Sequence, residues 1–420
     1  MKEIFSKYII LLNLLLVVNI LFAQNEDVSY NYSRSSIYNL ALTHPGSAMS
    51  DQIFFAFREM PTLDKFNDHS LSLRVIFAAD GNDSESAKAD IDKFLSDNNI
   101  GKRMVAKWFN RDKQNGAFDM SLVAERGHYN ASQADLELAL QTVRGKAMLA
   151  DAGEQLIGNT FVIINDITYV NKEERAQKAV AFFKILGSIA GAVGGSSGGN
   201  VESIAELTKS VSDLAGSISD AVAGFTVRIE SYLYQIAWND EIAARFYNEY
   251  YFDKNQINNE KKSAFDSEKD LFKLKFVGSF KATSEKTVMR GIKKDEDVFR
   301  KVLARAIDKN IVELQKEYEV FKVKVPIINI DGDNINVQIG LKEGVSVNSK
   351  YEVLEKVLND NGKTEYKRVG VIKPIKDKIW DNRYMAAEEE AINANLKYTS
   401  FKTVSGSGFY KGMLIREIKY

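Results

Sequence analysis

The sequence predicts an α+β chain: a mixed α/β N-terminal domain with an inserted helical hairpin, followed by a C-terminal small β-barrel-like module. Three observations lead there. Up to about residue 320, apolar periods of two and of three to four alternate along the chain. A Gly-rich apolar stretch of roughly fifty residues separates two strand patterns, far beyond the usual connection length. Past Phe321 the pattern is nearly continuous β.

Composition sets the outer bounds. The chain has 420 residues, 45% of them hydrophobic, a formal charge of −1 and no Cys. Such a composition excludes long disorder, disulfide scaffolds and thiolate metal sites. Near-neutral charge predicts no nucleic-acid partner, whose footprint would be a basic excess.

Lys2 and Lys7 precede an apolar block from Tyr8 to Phe22 that ends in Ala23 and Gln24. The block is short for a membrane span, and a small residue at its end suits cleavage, so residues 1–23 read as a secretory signal peptide. With no Cys near that point to carry a lipid, the expected location is exported, in the periplasm or at the outer membrane.

Residues 24–170 plus 225–320 form the expected α/β domain. Leu71, Leu73, Val75 and Phe77 alternate with Ser72, Arg74 and Ile76, which predicts a strand from Ser70 to Phe77. Ala87, Ile91, Phe94 and Leu95 predict a helix stopped by Asn98 to Gly101. Met104 to Phe109 and Phe118 to Val123 flank Asn115-Gly116, which predicts an antiparallel hairpin. Ser132-Gln133-Ala134-Asp135 opens an expected helix, and a second runs from Lys146 to Ile157. Strands are expected at Thr160 to Val170, Phe225 to Trp238 and Leu271 to Lys281, and helices at Asp240 to Tyr251 and Asp295 to Tyr318. Asp253 to Asp270 reads as a polar linker. The mixture of hairpin and crossover signals favours mixed α/β over a doubly wound sheet.

The segment 171–224 is the unusual one. Phe182, Phe183 and Ile189 accompany Gly187, Gly191 and Gly195, spaced by four so that one helical face can admit another backbone. A Gly/Ser tip follows, and Leu207, Val211, Leu214 and Ile218 then form a second stripe. The expectation is a helical hairpin that packs on its own domain, joins a protein partner or a second copy, or meets a membrane.

Chemical motifs are sparse. His44, His69 and His128 have no spacing that pairs two imidazoles on one metal, so neither metal nor cofactor is predicted. The letters GxSxG at Gly194 to Gly198 follow an apolar helix instead of a strand, and read as a flexible tip. Three clusters mix aromatic, charged and amide groups as contact sites do: Trp108 with Arg111, Arg126 with His128, and Trp380 with Asn382 and Arg383. Their alternative reading is a set of strand ends whose rings keep polar tips wet.

In residues 321–420, Gly340-x-x-x-Gly344-Val345, Tyr351-Glu352-Val353 and Val369-Gly370-Val371-Ile372 resemble the small β-modules that end several envelope-associated bacterial proteins. Phe22-Ala23-Gln24, Arg144-Gly145, Leu149 to Gly153 and Asn159 to Val162 are similar to uncharacterised exported proteins of Bacteroidota. An α/β domain with long excursions between strands also resembles the curli secretion channel family, although the excursion here is helical and Gly-rich. These resemblances imply an exported envelope protein acting through protein contacts or self-assembly. Two other readings stay open: a periplasmic hydrolase with a carboxylate/His site, and a component of an outer-membrane pore or secretion assembly.

Overall fold

The computed structural model describes residues 35–45, 47, 50–60, 63, 65–78, 84–130, 156–170, 226–283, 296–358, 364–388 and 391–418. The expected signal peptide, the helices from Ser132 and from Lys146 up to Gln155, and the hairpin 171–224 lie outside the described residues. What remains is mixed α and β with two sheets.

The first sheet has the order β2-β1-β4-β5-β6, with β3 also on β1. Its strands are β1 (Ser35–Thr43), β2 (Phe66–Asp68), β3 (Val75–Phe77), β4 (Thr160–Val170), β5 (Thr226–Ile236) and β6 (Leu274–Thr283). β1 runs parallel to β2, β3 and β4, whereas β4-β5 and β5-β6 are antiparallel. The expected strand from Ser70 is shorter than its alternation implied. β1 takes four steps from Ile37 to Ala41 while its partner takes seven from Asp68 to Val75, so the intervening residues loop out and only Val75–Phe77 pairs.

Both faces of the sheet are covered, as buried parallel strands require. On one face lie α1 (Ser50–Glu59) and α7 (Glu296–Glu317), packing Ile53, Phe57, Leu303 and Ile307 against Ile37, Phe161 and Ile163. On the other lie α2 (Ser84–Asp97), α3 (Ile100–Trp108) and α4 (Ser121–Asn130), packing Ile91, Met104 and Val123 against Leu40, Val162 and Ile164. The chain therefore leaves β1 over one face to reach β2 and β3, then crosses the other face to reach β4. That parallel half is wound both ways, while the antiparallel β5 and β6 make the sheet as a whole mixed, as expected.

The expected hairpin between Met104 and Val123 is not formed. Met104, Val105 and Trp108 fall on one helical face and are fully buried there. The Asn-Gly pair closes a local loop instead: the Asp112 carboxylate accepts the Gln114 and Asn115 N–H groups, and Gly116 takes a left-handed φ of 79°. The supposed linker 253–270 contains α6 (Asn259–Ser267), capped by Asn258 and anchored by buried Phe265. The expected helix from Asp240 forms as α5 (Asp240–Arg245), prolonged by a π-turn over Phe246–Tyr250.

Six further strands make the second sheet: β7 (Val325–Asp331), β8 (Asn334–Val337), β9 (Tyr351–Leu358), β10 (Thr364–Pro374), β11 (Thr399–Gly406) and β12 (Leu414–Glu417). All their pairings are antiparallel and run β10-β11-β8-β7-β12-β9, with β9 also on β10. Val337, Val353, Ile372, Phe401 and Ile415 fill the interior. Gly340-x-x-x-Gly344-Val345 and Gly408-x-x-x-Gly412-Met413 share their glycine spacing and act alike at the second glycine. Gly344 and Gly412 have φ of 76° and 96°, and each turns the chain so that the next residue, Val345 or Met413, is buried.

Close packing at Gly101 offers a check on how α3 is seated. A Cβ there would stand 2.1 Å from the Phe272 carbonyl oxygen, a backbone atom with little freedom to retreat. Gly101→Ala is expected to lower stability by about 1–3 kcal/mol in chemical denaturation; an unchanged midpoint would mean that α3 and the 271–273 segment are not in close contact.

Candidate functional site

The end of the first sheet at which β1 stops and β4 leaves carries the strongest concentration of chemistry. In parallel sheets, ligands bind outside the carboxyl ends of the strands where successive connections depart in opposite directions. Here that point lies between β1 and β4, because β1 is followed by α1 on one face and β3 by α2–α4 on the other. Two side chains meet at the spot. His44 is the residue after β1, and Asp166 lies on β4 opposite Leu42.

His44 Nε2 and Asp166 Oδ1 are 2.5 Å apart, with side chains only 6% and 13% exposed. A carboxylate accepts only, so Nε2 carries a proton and donates it to Asp166. No group among the described residues bonds to Nδ1. Two successive tight turns lead onward, Ser47 N–H to the His44 carbonyl and Ser50 N–H to the Ser47 carbonyl, while Ser47 Oγ also donates to the His44 carbonyl. They deliver the chain into the first turn of α1. There Ser50 Oγ and Asp51 Oδ1 are buried without a hydrogen-bond partner, and burial raises the Asp51 carboxyl above its usual range. Asp166 is also in register with Glu230 on β5, and Glu230 with Lys281 on β6, whose Nζ lies 2.9 Å from a Glu230 oxygen. A polar row thus crosses the strands at this end of the sheet.

His69 is used differently. Arg126 Nη1 donates to its Nδ1, and its own Nε2–H donates to the Met104 carbonyl, both at 2.9 Å. Burial, then the Arg126 charge, push the imidazole down to about 3, so it is a neutral strut. Arg126 also donates to Ser36 Oγ and the Asp68 carbonyl and lies 4.4 Å from the Trp108 ring centre. Trp108 in turn donates to Thr160 Oγ1. Two of the expected contact residues, Trp108 and Arg126, are therefore brought together, but as a core staple joining α3, α4 and the strands. The backbone of His128 belongs to α4, and its side chain lies outside the described residues.

Arg111 is likewise engaged inside the fold, 2.8 Å from Asp266 and 4.7 Å from the Phe265 ring centre. In the C-terminal unit Arg383 pairs with Asp381. Asn382 accepts the Lys342 N–H and donates to Glu343 Oε2, which also accepts the Gly340 N–H. The Trp380 carbonyl accepts the Leu341 N–H, so this cluster clamps the Gly340–Gly344 turn. Glu343, Lys65, Asp308, Tyr351 and Glu417 line a small cavity of about 70 Å³ between α7 and the second sheet. Burial raises the Glu343 and Glu417 carboxyls there.

The hairpin residues Phe182, Phe183, Gly187, Ile189, Gly191, Gly195, Leu207, Val211, Leu214 and Ile218 lie outside the described residues. Among the described residues no set of three or more His, Asp or Glu is placed to hold a metal ion, and no helix is long and apolar enough to cross a membrane. Asp166, Ser50 and Asp51 were not singled out in the sequence. The signal that could have found them is the order of crossovers around β1, obscured by reading residues 104–123 as strands. No protein-family model and no curated protein matches the sequence.

Two outcomes follow from this wiring. The unfolded chain binds a proton at His69 near 6.5 and the folded one only near 3, so stability falls as pH drops through that window, by about 1.4 kcal/mol per unit. His69→Gln should flatten the slope of unfolding free energy between pH 6.5 and 4, and an unaltered slope would assign it to other groups. Asn382→Ala removes two hydrogen bonds and strips a partner from Glu343, with an expected loss of about 1–3 kcal/mol in denaturant melts; a neutral result would show the turn to be held without the clamp.

Proposed function

We propose that the protein is an exported component of the bacterial cell envelope that works through protein contacts or self-assembly, with residues 171–225 as its contact element and the six-stranded C-terminal unit as a small barrel-like module of the kind that ends other envelope proteins. The observation that carries this reading is the pairing of β4 with β5. The two strands are antiparallel neighbours in register from Phe161↔Gln235 to Val170↔Thr226. Strands so placed need only a short turn to join them. Fifty-five residues stand there instead, with an apolar run from Ala176 to Gly195 in which Gly187, Gly191 and Gly195 fall at intervals of four. Length that the sheet does not need calls for a use elsewhere, and small residues at that spacing suit close backbone approach to a partner. The expected polar and aromatic contact clusters support the same choice by default, since Trp108, Arg111, Arg126, Asn382 and Arg383 are already engaged within the fold.

Replacing residues 171–225 by a short Asn-Gly turn should leave the far-ultraviolet circular dichroism of the remaining fold and a cooperative melt in place. Light scattering behind size-exclusion chromatography should then show an oligomer for the intact chain and a monomer for the shortened one, in the absence of detergent. An intact chain that is monomeric, or a shortened chain that fails to fold, would defeat the reading; association that appears only in detergent would favour the pore component.

A further inference from the structure

We propose that the cavity between α7 and the second sheet is a binding site for a small zwitterion, an amino acid of glycine's size, whose ammonium meets Glu343 and Glu417 and whose carboxylate meets Lys65. This is independent of the contact function assigned to residues 171–225.

The lining of the cavity carries the inference. Phe66, Ile311 and Ile415 form a buried apolar floor, while Lys65, Glu343 and Glu417 are half-buried and still reach water. Lys65 lies between α1 and β2 and has no hydrogen-bond or ion-pair partner among the described residues. Its charge is nevertheless the strongest attraction acting on the Glu343 carboxyl, so the two face each other across the space without touching. Glu343 commits Oε2 to the Gly340 N–H and to Asn382, and Glu417 commits Oε1 to Ser349. Each keeps its other carboxyl oxygen without a partner among the described residues. Tyr351, only 4% exposed, stands opposite Glu417 in the β9–β12 register. Its hydroxyl makes no hydrogen bond of good geometry, because the neighbouring Ser349 Oγ already donates to Glu417 and accepts the Ser346 N–H.

Polar groups left without partners around one space define what fits there. Two carboxylate oxygens and a tyrosine hydroxyl call for a cation with several hydrogens to donate, which is an ammonium. The Lys65 ammonium calls for an anionic acceptor. A single ligand meets both demands only if it carries both charges. Asp308 and Lys342 also line the cavity but have interactions of their own. Burial raises the Glu343 and Glu417 carboxyls, and an ammonium between them would offset that cost. Size gives the remaining constraint. A water molecule needs about 10–15 Å³ of such volume, so a cavity of about 70 Å³ admits about five non-hydrogen atoms, as many as glycine has.

The experiment is isothermal titration calorimetry of the full chain at neutral pH, with glycine as probe and with ethylammonium and acetate as half-ligands that carry one charge each. Glycine should bind at a single site, at least about tenfold more tightly than either half-ligand, because each of those leaves one protein charge unmet. Lys65→Met and Glu417→Gln should each weaken glycine binding by about tenfold or more. Lys65→Met should not weaken ethylammonium, a selectivity that damage to the fold would not produce. Should Glu417→Gln fail to fold, Lys65→Met still decides the matter, since it removes a half-buried side chain that holds nothing else in place. Absence of glycine binding, equal affinity for glycine and a half-ligand, or unchanged glycine affinity in Lys65→Met would overturn the proposal.

Discussion

The fold hangs on β4. It pairs in parallel with β1 and antiparallel with β5, so the backbone hydrogen bonds of its paired positions are satisfied within the sheet. Its side chains are buried on both faces, Phe161, Ile163 and Ile167 on one and Val162 and Ile164 on the other. A strand with no wet face requires a helical layer on each side, since an uncovered row of Ile and Phe would forfeit roughly 1.5–3 kcal/mol per side chain. The two crossovers supply those layers in turn, α1 on one face and α2–α4 on the other. Covering both faces around β1 and β4 is what creates the reversal between these two strands.

Midway along β4 polarity enters at Asn165 and Asp166. Asn165, fully buried, donates to Asn39 Oδ1 and to the Leu40 carbonyl and accepts from Ser231 Oγ. Ser231 Oγ accepts in turn from Asn310 on α7, which also donates to the Ile229 carbonyl. One chain of amides and a hydroxyl thereby ties α7 to β1, β4 and β5. Such a network adds little net stability but penalises any slip, because a shift of one residue would place Asn165 and Asn310 against apolar partners. The next residue, Asp166, points to the other face, as strand alternation demands, and meets His44. The same two residues thus lock the register on one side of the sheet and build the candidate site on the other.

Much of this architecture was legible. The strand at Thr160 to Val170 stands out because its apolar run is buried on both faces, the one from Phe225 because Val227 and Ile229 alternate with Arg228 and Glu230, and α7 because Leu303, Ile307, Ile311 and Leu314 repeat at helical spacing. Residues 104–123 misled because a helix of nine residues ending in Trp108 and Phe109 has too few turns to display its period, while Asn115-Gly116 carries a strong local signal whose loop here joins two helices. α6 was hidden for the opposite reason: only Phe265 is buried in it, so its sequence reads as a polar linker. The site was the least legible part. His44 and Asp166 are 122 residues apart, and only the order of the crossovers brings them together.

The two described imidazoles show why residue type alone could not have distinguished a site from a strut. Both His44 and His69 are nearly excluded from water, both follow a strand, and both have a polar partner at one ring nitrogen. What separates them is the second nitrogen. At His69 it meets the Arg126 guanidinium, whose charge, added to burial, keeps the ring neutral and inert. At His44 the first nitrogen faces the Asp166 carboxylate, and the second has no partner among the described residues. The position of His44 adds a further consequence. β4 and β1 are parallel, so Val170, the last residue of β4, lies toward the same end of the sheet as the His44–Asp166 pair.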